Sequence, residues 1–204
     1  MRYITFDLSR LHEHGSAFFD FLKLRKRFFV DILGWDIPHN DHYEMDQYDN
    51  PNAWYSLCLS DDGEVIGGTR VMPTTVTWGK HTYMLRDALK GTLDSIPGSA
   101  MPADICSPYV WEMTRLVIAP ELRTAAARGR CLQLVGQGLY DIAAEHGCAE
   151  YMGISSVALV RVLRQLGFPL DRLGEPYYDP DDGRRYAVLR MPVVQPGQEL
   201  IAAE

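Results

Sequence analysis

The chain predicts a mixed α/β fold, with a central, largely antiparallel sheet flanked by helices, and three observations carry that reading. Short β-like runs recur through the sequence, two of them are joined by the hairpin signal Ser60-Asp61-Asp62-Gly63, and two amphipathic helical segments lie in the second half. At 204 residues, 47% hydrophobic and 23% charged, the chain suits one compact domain, read as residues 1–193 with 194–204 as a tail. No repeat, linker or low-complexity run divides it.

Residues 2–7 alternate as a short strand, and apolar residues at helical spacing from Leu11 to Leu33, closed by Gly34, predict a helix. Residues 36–52 are polar and turn-rich and hold the densest acidic cluster, which reads as a long functional loop. Strands follow at 54–59 and 65–72. The stretch 73–108 is weakly patterned, with one short helix near Met84 to Leu89, before a buried strand at 110–118. Ala125 to His146 is the strongest helix, with Leu132, Val135, Leu139, Ile142 and Ala143 in one stripe and Gly147 as its stop. A strand at 151–154, a helix at 157–166 ended by Gly167-Phe168-Pro169, and a strand pair at 170–178 and 184–191 complete the pattern.

Twenty Lys and Arg against 27 Asp and Glu give a net charge of -7, which argues against nucleic acid or an anionic membrane as a general partner. Any basic site must be local. Cys58, Cys106, Cys131 and Cys148 form no CxxC pair, so neither a zinc cluster nor a disulfide framework is indicated, and a reduced, cytoplasmic protein is expected. No run approaches the ~18 apolar residues of a membrane span. His12/His14 and His39/His42 read as solvated side chains rather than metal ligands, and Gly136-x-Gly138 lies within a helix, away from any nucleotide loop.

What stands out is ionisable residues beside strands and aromatics: Arg25, Asp46, Asp49, Arg70, Glu112 and Arg115. Buried charges persist only when paired. In a regular strand Glu112 and Thr114 share one face while Met113 and Arg115 share the other, so Glu112 and Arg115 meet on one side only if the strand is irregular there. Spacing alone leaves two readings open, a structural ion-pair network behind the loop or a polar binding site.

Four segments in order carry a resemblance to a known family. Arg25-x-x-x-Phe29 followed by Gly34-Trp35, Glu44-x-Asp46-x-Tyr48-Asp49, Gly67-x-x-Arg70, and Trp111-Glu112-x-Thr114-Arg115 resemble the motifs of the acyl-homoserine-lactone synthases, the autoinducer synthases of bacterial quorum sensing. The resemblance spans about residues 3 to 192. Leu89 and Leu116 stand where the family frequently carries phenylalanine, so a less aromatic substrate pocket is expected.

The resemblance implies a fold similar to the GCN5-related N-acetyltransferases, with an acyl-thioester cleft between splayed strands. It implies acylation of the amino group of S-adenosylmethionine by an acyl carrier protein or acyl-CoA donor, lactone closure, and release of methylthioadenosine. S-adenosylmethionine is a substrate, and neither a further cofactor nor a metal is implied. The amine needs a base, for which Glu112 is the candidate, with pairing to an arginine as its structural alternative. Arg115 is the candidate clamp for the substrate carboxylate. Arg70 is expected to order the loop through Asp46 and Asp49, and Arg25 is left open between that and substrate contact. Trp35 and the aspartates suit a sulfonium, with Phe29, Thr114 and Leu89 as further substrate-binding candidates. The expected acyl pocket is Met113, Leu116, Gly153, Ser155 and Leu163, and Gly153 favours an unsubstituted chain and leaves room for a longer one. Carrier docking is assigned to Arg123, Arg128, Arg130, Arg161 and Arg164, against the simpler reading of solvated faces. Two other functions compete: an N-acyltransferase using acyl-CoA and another amine, and a noncatalytic acyl-signal-binding module, favoured if Glu112 and Arg115 pair only with each other outside any cleft.

Overall fold

The computed structural model describes residues 1–179 and 182–193, so the predicted tail at 194–204 lies outside the described residues. Eight strands form one sheet: β1 (Arg2–Asp7), β2 (Trp54–Leu59), β3 (Val65–Pro73), β4 (Val110–Ile118), β5 (Glu150–Ser156), β6 (Asp171–Arg172), β7 (Tyr177–Asp179) and β8 (Arg184–Pro192). Their order is β1-β2-β3-β4-β5-β8-β6, with β7 also on β8. Every pairing is antiparallel except β4 with β5, which are parallel and paired only from Val110↔Glu150 to Glu112↔Met152. Beyond Glu112 the two strands separate, and the sheet opens into a V.

Helices α1 (Ala17–Arg25), α2 (Met84–Leu89), α3 (Ala125–His146) and α4 (Val157–Gln165) complete the layers. The helix predicted over 11–33 is broken. A 3-10 turn at Leu8–His14 ends at Gly15, whose φ of 58° interrupts the helical path, and past Arg25 the helix widens into a π segment, Lys26–Ile32. Such widening is frequent at functional sites because it turns side chains that a regular helix would misalign.

The remaining helices follow the sequence closely. Thr124 caps α3 by accepting from the Ala127 amide, and Gly147 ends it in the left-handed region. The predicted stripe packs on the sheet, and the close approach is set by β3: a Cβ on Gly67 would lie 2.5 Å from Cys131 Sγ of α3, and one on Gly68 2.4 Å from Leu57 Cδ2. Side chains at these two positions would push the helix and the neighbouring strand off β3. The one predicted strand at 170–178 is instead two short pieces, β6 and β7, against the long β8.

Candidate active site

Three arginines and three carboxylates from four segments form one buried network. Arg25, at the end of α1, donates from Nε to Glu44 Oε2 at 2.5 Å and from both terminal nitrogens to Asp49 at 2.7 and 2.9 Å. Arg70 of β3 donates to Asp46 Oδ1 at 2.6 Å and approaches Asp49 Oδ1 at 2.9 Å, while its Nε reaches Thr114 Oγ1 at 3.1 Å. Arg115 donates to Asp46 Oδ2 at 2.8 Å and to Glu44 at 3.2 Å. Burial opposes ionisation of Asp49 and Asp46, but the charges of Arg70 and Arg25 on the first, and of Arg70 and Arg115 on the second, outweigh it and hold both carboxyls below their ordinary range. The 36–52 loop is thereby fixed without regular structure, helped by Asp46 and Asn50 accepting from the Tyr48 and Asn52 amides.

The irregularity anticipated in β4 is a β-bulge. Gly68 pairs with Val117 and Arg70 with Thr114, so Arg115 and Leu116 together oppose Thr69, and Arg115 adopts φ 58°. For an arginine that conformation is strained, and the buried ion pairs hold it. The bulge brings Arg115 to the side of Glu112 and Thr114 while Met113 keeps the other face.

Glu112 is wholly buried and, among the described residues, does not pair with an arginine. Its Oε1 accepts from the Leu85 amide at 2.7 Å and its Oε2 from the Met84 amide at 2.9 Å, so it caps α2, whose own Ncap residue Tyr83 offers no side-chain cap. Burial pushes its carboxyl up to about 7, against the lowering effect of those two amides. Its paired neighbour Met152 is the last of the β4–β5 ladder, which puts Glu112 at the vertex of the V.

Two cavities lie beside the open part of the V, and Glu112 lines neither. The larger, of about 450 Å³, is walled by the 35–48 loop, residues 93–97, and the β7–β8 hairpin, with Asp46, Tyr48, Met84 and Arg115 at its base. The guanidinium of Arg115 uses Nε and Nη2 in the network, and among the described residues its Nη1 meets only Met84 Sδ, at 3.9 Å. Trp35 forms one wall, stacked on Phe29 at 4.9 Å, and Phe29 in turn lies 5.6 Å beneath the Arg115 guanidinium carbon. The smaller cavity, about 30 Å³, lies between the splayed strands and α4 and contains all five predicted acyl-pocket residues, Met113, Leu116, Gly153, Ser155 and Leu163. Arg115 and Ile154 line both cavities.

An aromatic cavity with Asp46 and Arg115 at its base thus adjoins a smaller one across the split β4–β5 edge. The sequence pattern of the autoinducer synthases matches residues 9–199. The chain belongs to the autoinducer synthase family. An acyl-homoserine-lactone synthase of Aliivibrio fischeri is 30% identical over 175 residues, 84% of each chain. TofI, solved in a ternary complex with an inhibitor and MTA, superposes with a TM-score of 0.73 and 26% identity over 95% of this chain and 92% of its own. BjaI, a CoA-dependent acyl-homoserine lactone synthase solved with SAM and isopentyl-CoA, superposes with a TM-score of 0.75 over 95% of this chain and 84% of its own, at 18% identity. The protein is an acyltransferase with the acetyltransferase-like architecture that the resemblance implied.

In this autoinducer synthase several expected contacts fall elsewhere. Arg70 orders the loop through Asp46 and Asp49 as expected, and Arg25, which had two open readings, does the same through Glu44 and Asp49; with Asp49 they stand behind Asp46 and Arg115 and do not line the larger cavity, and Phe29 lies beneath Trp35. Leu89 lines neither cavity because it sits at the end of α2, and Leu93 and Ile96 fill that wall. Thr114 accepts from Arg70 Nε and lines the smaller cavity rather than the larger. Gly153 does not open space for a longer chain: a Cβ there would lie 2.2 Å from the Met113 carbonyl oxygen, so the missing side chain is occupied by β4 backbone. Tyr177, Tyr178 and Tyr186 of the hairpin supply aromatic surface to the larger cavity. Of the docking arginines, all five are exposed, but Arg128 and Arg164 donate to the Leu122 and Leu170 carbonyls, leaving Arg123, Arg130 and Arg161 as the freer charges. The start of α3 meets the end of α4, where Leu166 Cδ2 comes within 3.1 Å of a Cβ built on Gly129, so the two basic groups are neighbours.

Glu44, Tyr48, Met84, Ile154, Asp182 and Tyr186 are site residues that the motif reading passed over as site members. Glu44 and Tyr48 had a signal, since Glu44, Asp46 and Tyr48 alternate through the loop and are all buried. The two hairpin residues had none, because their role arises from a contact across 147 positions of sequence.

Proposed function

We propose that the enzyme joins an acyl group to the amine of S-adenosylmethionine and then closes the methionyl part into a homoserine lactone. The observation that carries this reading is the meeting of the two cavities at Arg115 and Ile154, the larger walled by aromatic rings with Asp46 at its base and the smaller lined mainly by apolar side chains, which must part to admit an acyl chain. The amine attacks the thioester carbonyl, a C–N bond forms, the C–S bond breaks and the thiol takes up a proton. The substrate carboxylate then attacks the carbon beside the sulfonium, and its C–S bond breaks to release neutral methylthioadenosine. Arg115 Nη1 aims that carboxylate, and Trp35 and Asp46 favour the positive substrate. Glu112, at the vertex and half-ionised near neutrality, takes the amine proton through a bridging water.

The reading is tested by incubating the protein with S-adenosylmethionine and acyl donors and following products by mass spectrometry. Equimolar acyl-homoserine lactone and methylthioadenosine are expected, and an acylated amine without methylthioadenosine would overturn it. The preferred donor is acyl carrier protein, an acidic partner suited to Arg123, Arg130 and Arg161, and the reaction belongs in the cytoplasm with that donor. Reversing Arg130 and Arg161 to Glu is expected to raise KM for the carrier-linked donor about tenfold at low salt, less at high salt, with the CoA-linked donor little changed. An unchanged KM for the carrier-linked donor refutes the docking face.

A further inference from the structure

Asp182 sits in the turn of the β7–β8 hairpin, which sequence alone marks only as polar, yet its carboxylate collects donors both from its own hairpin and from Trp35, 147 positions away. Oδ2 accepts from the Trp35 indole nitrogen at 3.0 Å and from the Tyr186 hydroxyl, and Oδ1 accepts from the Arg184 amide at 2.9 Å. Tyr186 also packs edge-on against Trp35 at 6.0 Å and stacks on Tyr177 at 6.0 Å. The indole is therefore held on three sides: Phe29 behind it, Tyr186 at its edge and Asp182 on its only polar atom.

We infer that Asp182 is a positioning residue for sulfonium recognition, fixing the Trp35 ring against the cavity and, by placing a negative charge on the indole N–H, strengthening the attraction of the ring face for a cation. This rests on the reading of the larger cavity as the S-adenosylmethionine site. The physics is that of a cation over an aromatic face: the ring's negative quadrupole does the attracting, a charged acceptor on the N–H pushes electron density into the ring, and a fixed ring loses no rotamer entropy on binding. Burial opposes ionisation of Asp182, but the hydrogen bonds from Tyr186 and Trp35 outweigh it and keep its carboxyl below the ordinary range, so the charge persists at neutral pH. A hairpin arm that merely covered the cavity would not need a carboxylate on the indole.

Asp182→Ala is the direct test, read in steady-state kinetics and in binding of methylthioadenosine, which shares the adenosine but lacks the positive charge. The expected result is a rise in KM for S-adenosylmethionine of about five- to thirtyfold, the range of a desolvated cation–π contact, with kcat and methylthioadenosine affinity within about twofold. Asp182→Asn, which keeps an oxygen acceptor but removes the charge, is expected to fall between, and it decides the matter if the alanine variant does not fold. An unchanged KM in a folded Asp182 variant overturns the inference, and so does a parallel loss of methylthioadenosine affinity or a fall in kcat alone. Wild-type protein that does not consume S-adenosylmethionine would sink the functional reading instead, a different result from an active enzyme indifferent to position 182.

Discussion

Arg70→Met is expected to lower the melting temperature by about 10 °C or more, the largest stability loss of any single change in the network. Methionine fills most of the same volume, so the effect isolates charge. Arg70 is wholly buried and neutralises Asp46 and Asp49 together, and removing it leaves two buried carboxylates with only Arg25 and Arg115 to answer them. Breaking a buried pair from one side costs about 3–5 kcal/mol, and in a chain of this size each kcal/mol is worth roughly 2–4 °C. The double variant Arg70→Met/Asp46→Asn should recover part of the loss, because the orphaned charge is then gone. The pH dependence has a defined sign. Asp46 and Asp49 have depressed folded-state values, so their contribution is present above the ordinary aspartate range and is lost as pH falls through it toward the folded values. Without Arg70 the depression shrinks and that acid-labile stability shrinks with it. Thermal melts across pH check both statements; a melting temperature within about 2 °C of wild type would mean that the network is no more than a set of weak contacts.

The part of this enzyme legible in the sequence was the part set by local periodicity and by residue chemistry out of place. Strands 2–7, 54–59 and 110–118 and helix α3 follow from alternation, the 3.6-residue stripe and capping residues. The bulge at Arg115 was anticipated because two charges on opposite faces of one strand had to reach one site. What sequence did not reveal depends on tertiary contacts. The break at Gly15 and the π segment after Arg25 preserve apolar spacing that a continuous helix would also show. The cap on α2 comes from Glu112, 28 residues beyond Met84, so no local signal marks it. Gly153 looked like added room and is instead the contact that presses β5 onto the Met113 carbonyl. In each case the deciding neighbour is on another element, and only the fold brings it there.

That dual position of Glu112, cap of α2 and nearest carboxylate to the strand vertex, makes Glu112→Gln the most informative catalytic variant. Loss of a general base removes about 10²- to 10⁴-fold in rate, so kcat is expected to fall at least a hundredfold with KM for S-adenosylmethionine changed only a few-fold. Glutamine is not silent structurally. It offers one oxygen and one NH₂ to two helix amides, so one amide meets a donor, at a cost of about 1–3 kcal/mol, and the melting temperature should drop by several degrees while the fold survives. The pH profiles separate the two effects. Burial lifts the folded-state value of Glu112 from 4.5 to about 7, so between those values the native state holds a proton that the unfolded chain has released, and stability declines as pH rises, by about 3 kcal/mol in all. Over the upper part of the same range wild-type turnover should climb as the carboxylate forms. Both slopes must vanish in the glutamine variant, because the group that titrates is gone. Turnover within about threefold of wild type would remove Glu112 as the proton acceptor while leaving its capping role intact, and a stability slope that survived the substitution would assign the titration to another group. The opposing demands explain the placement: a carboxylate exposed to water would keep an ordinary value and be a poor base for an ammonium, whereas one buried without the Met84 and Leu85 amides would stay protonated and accept nothing.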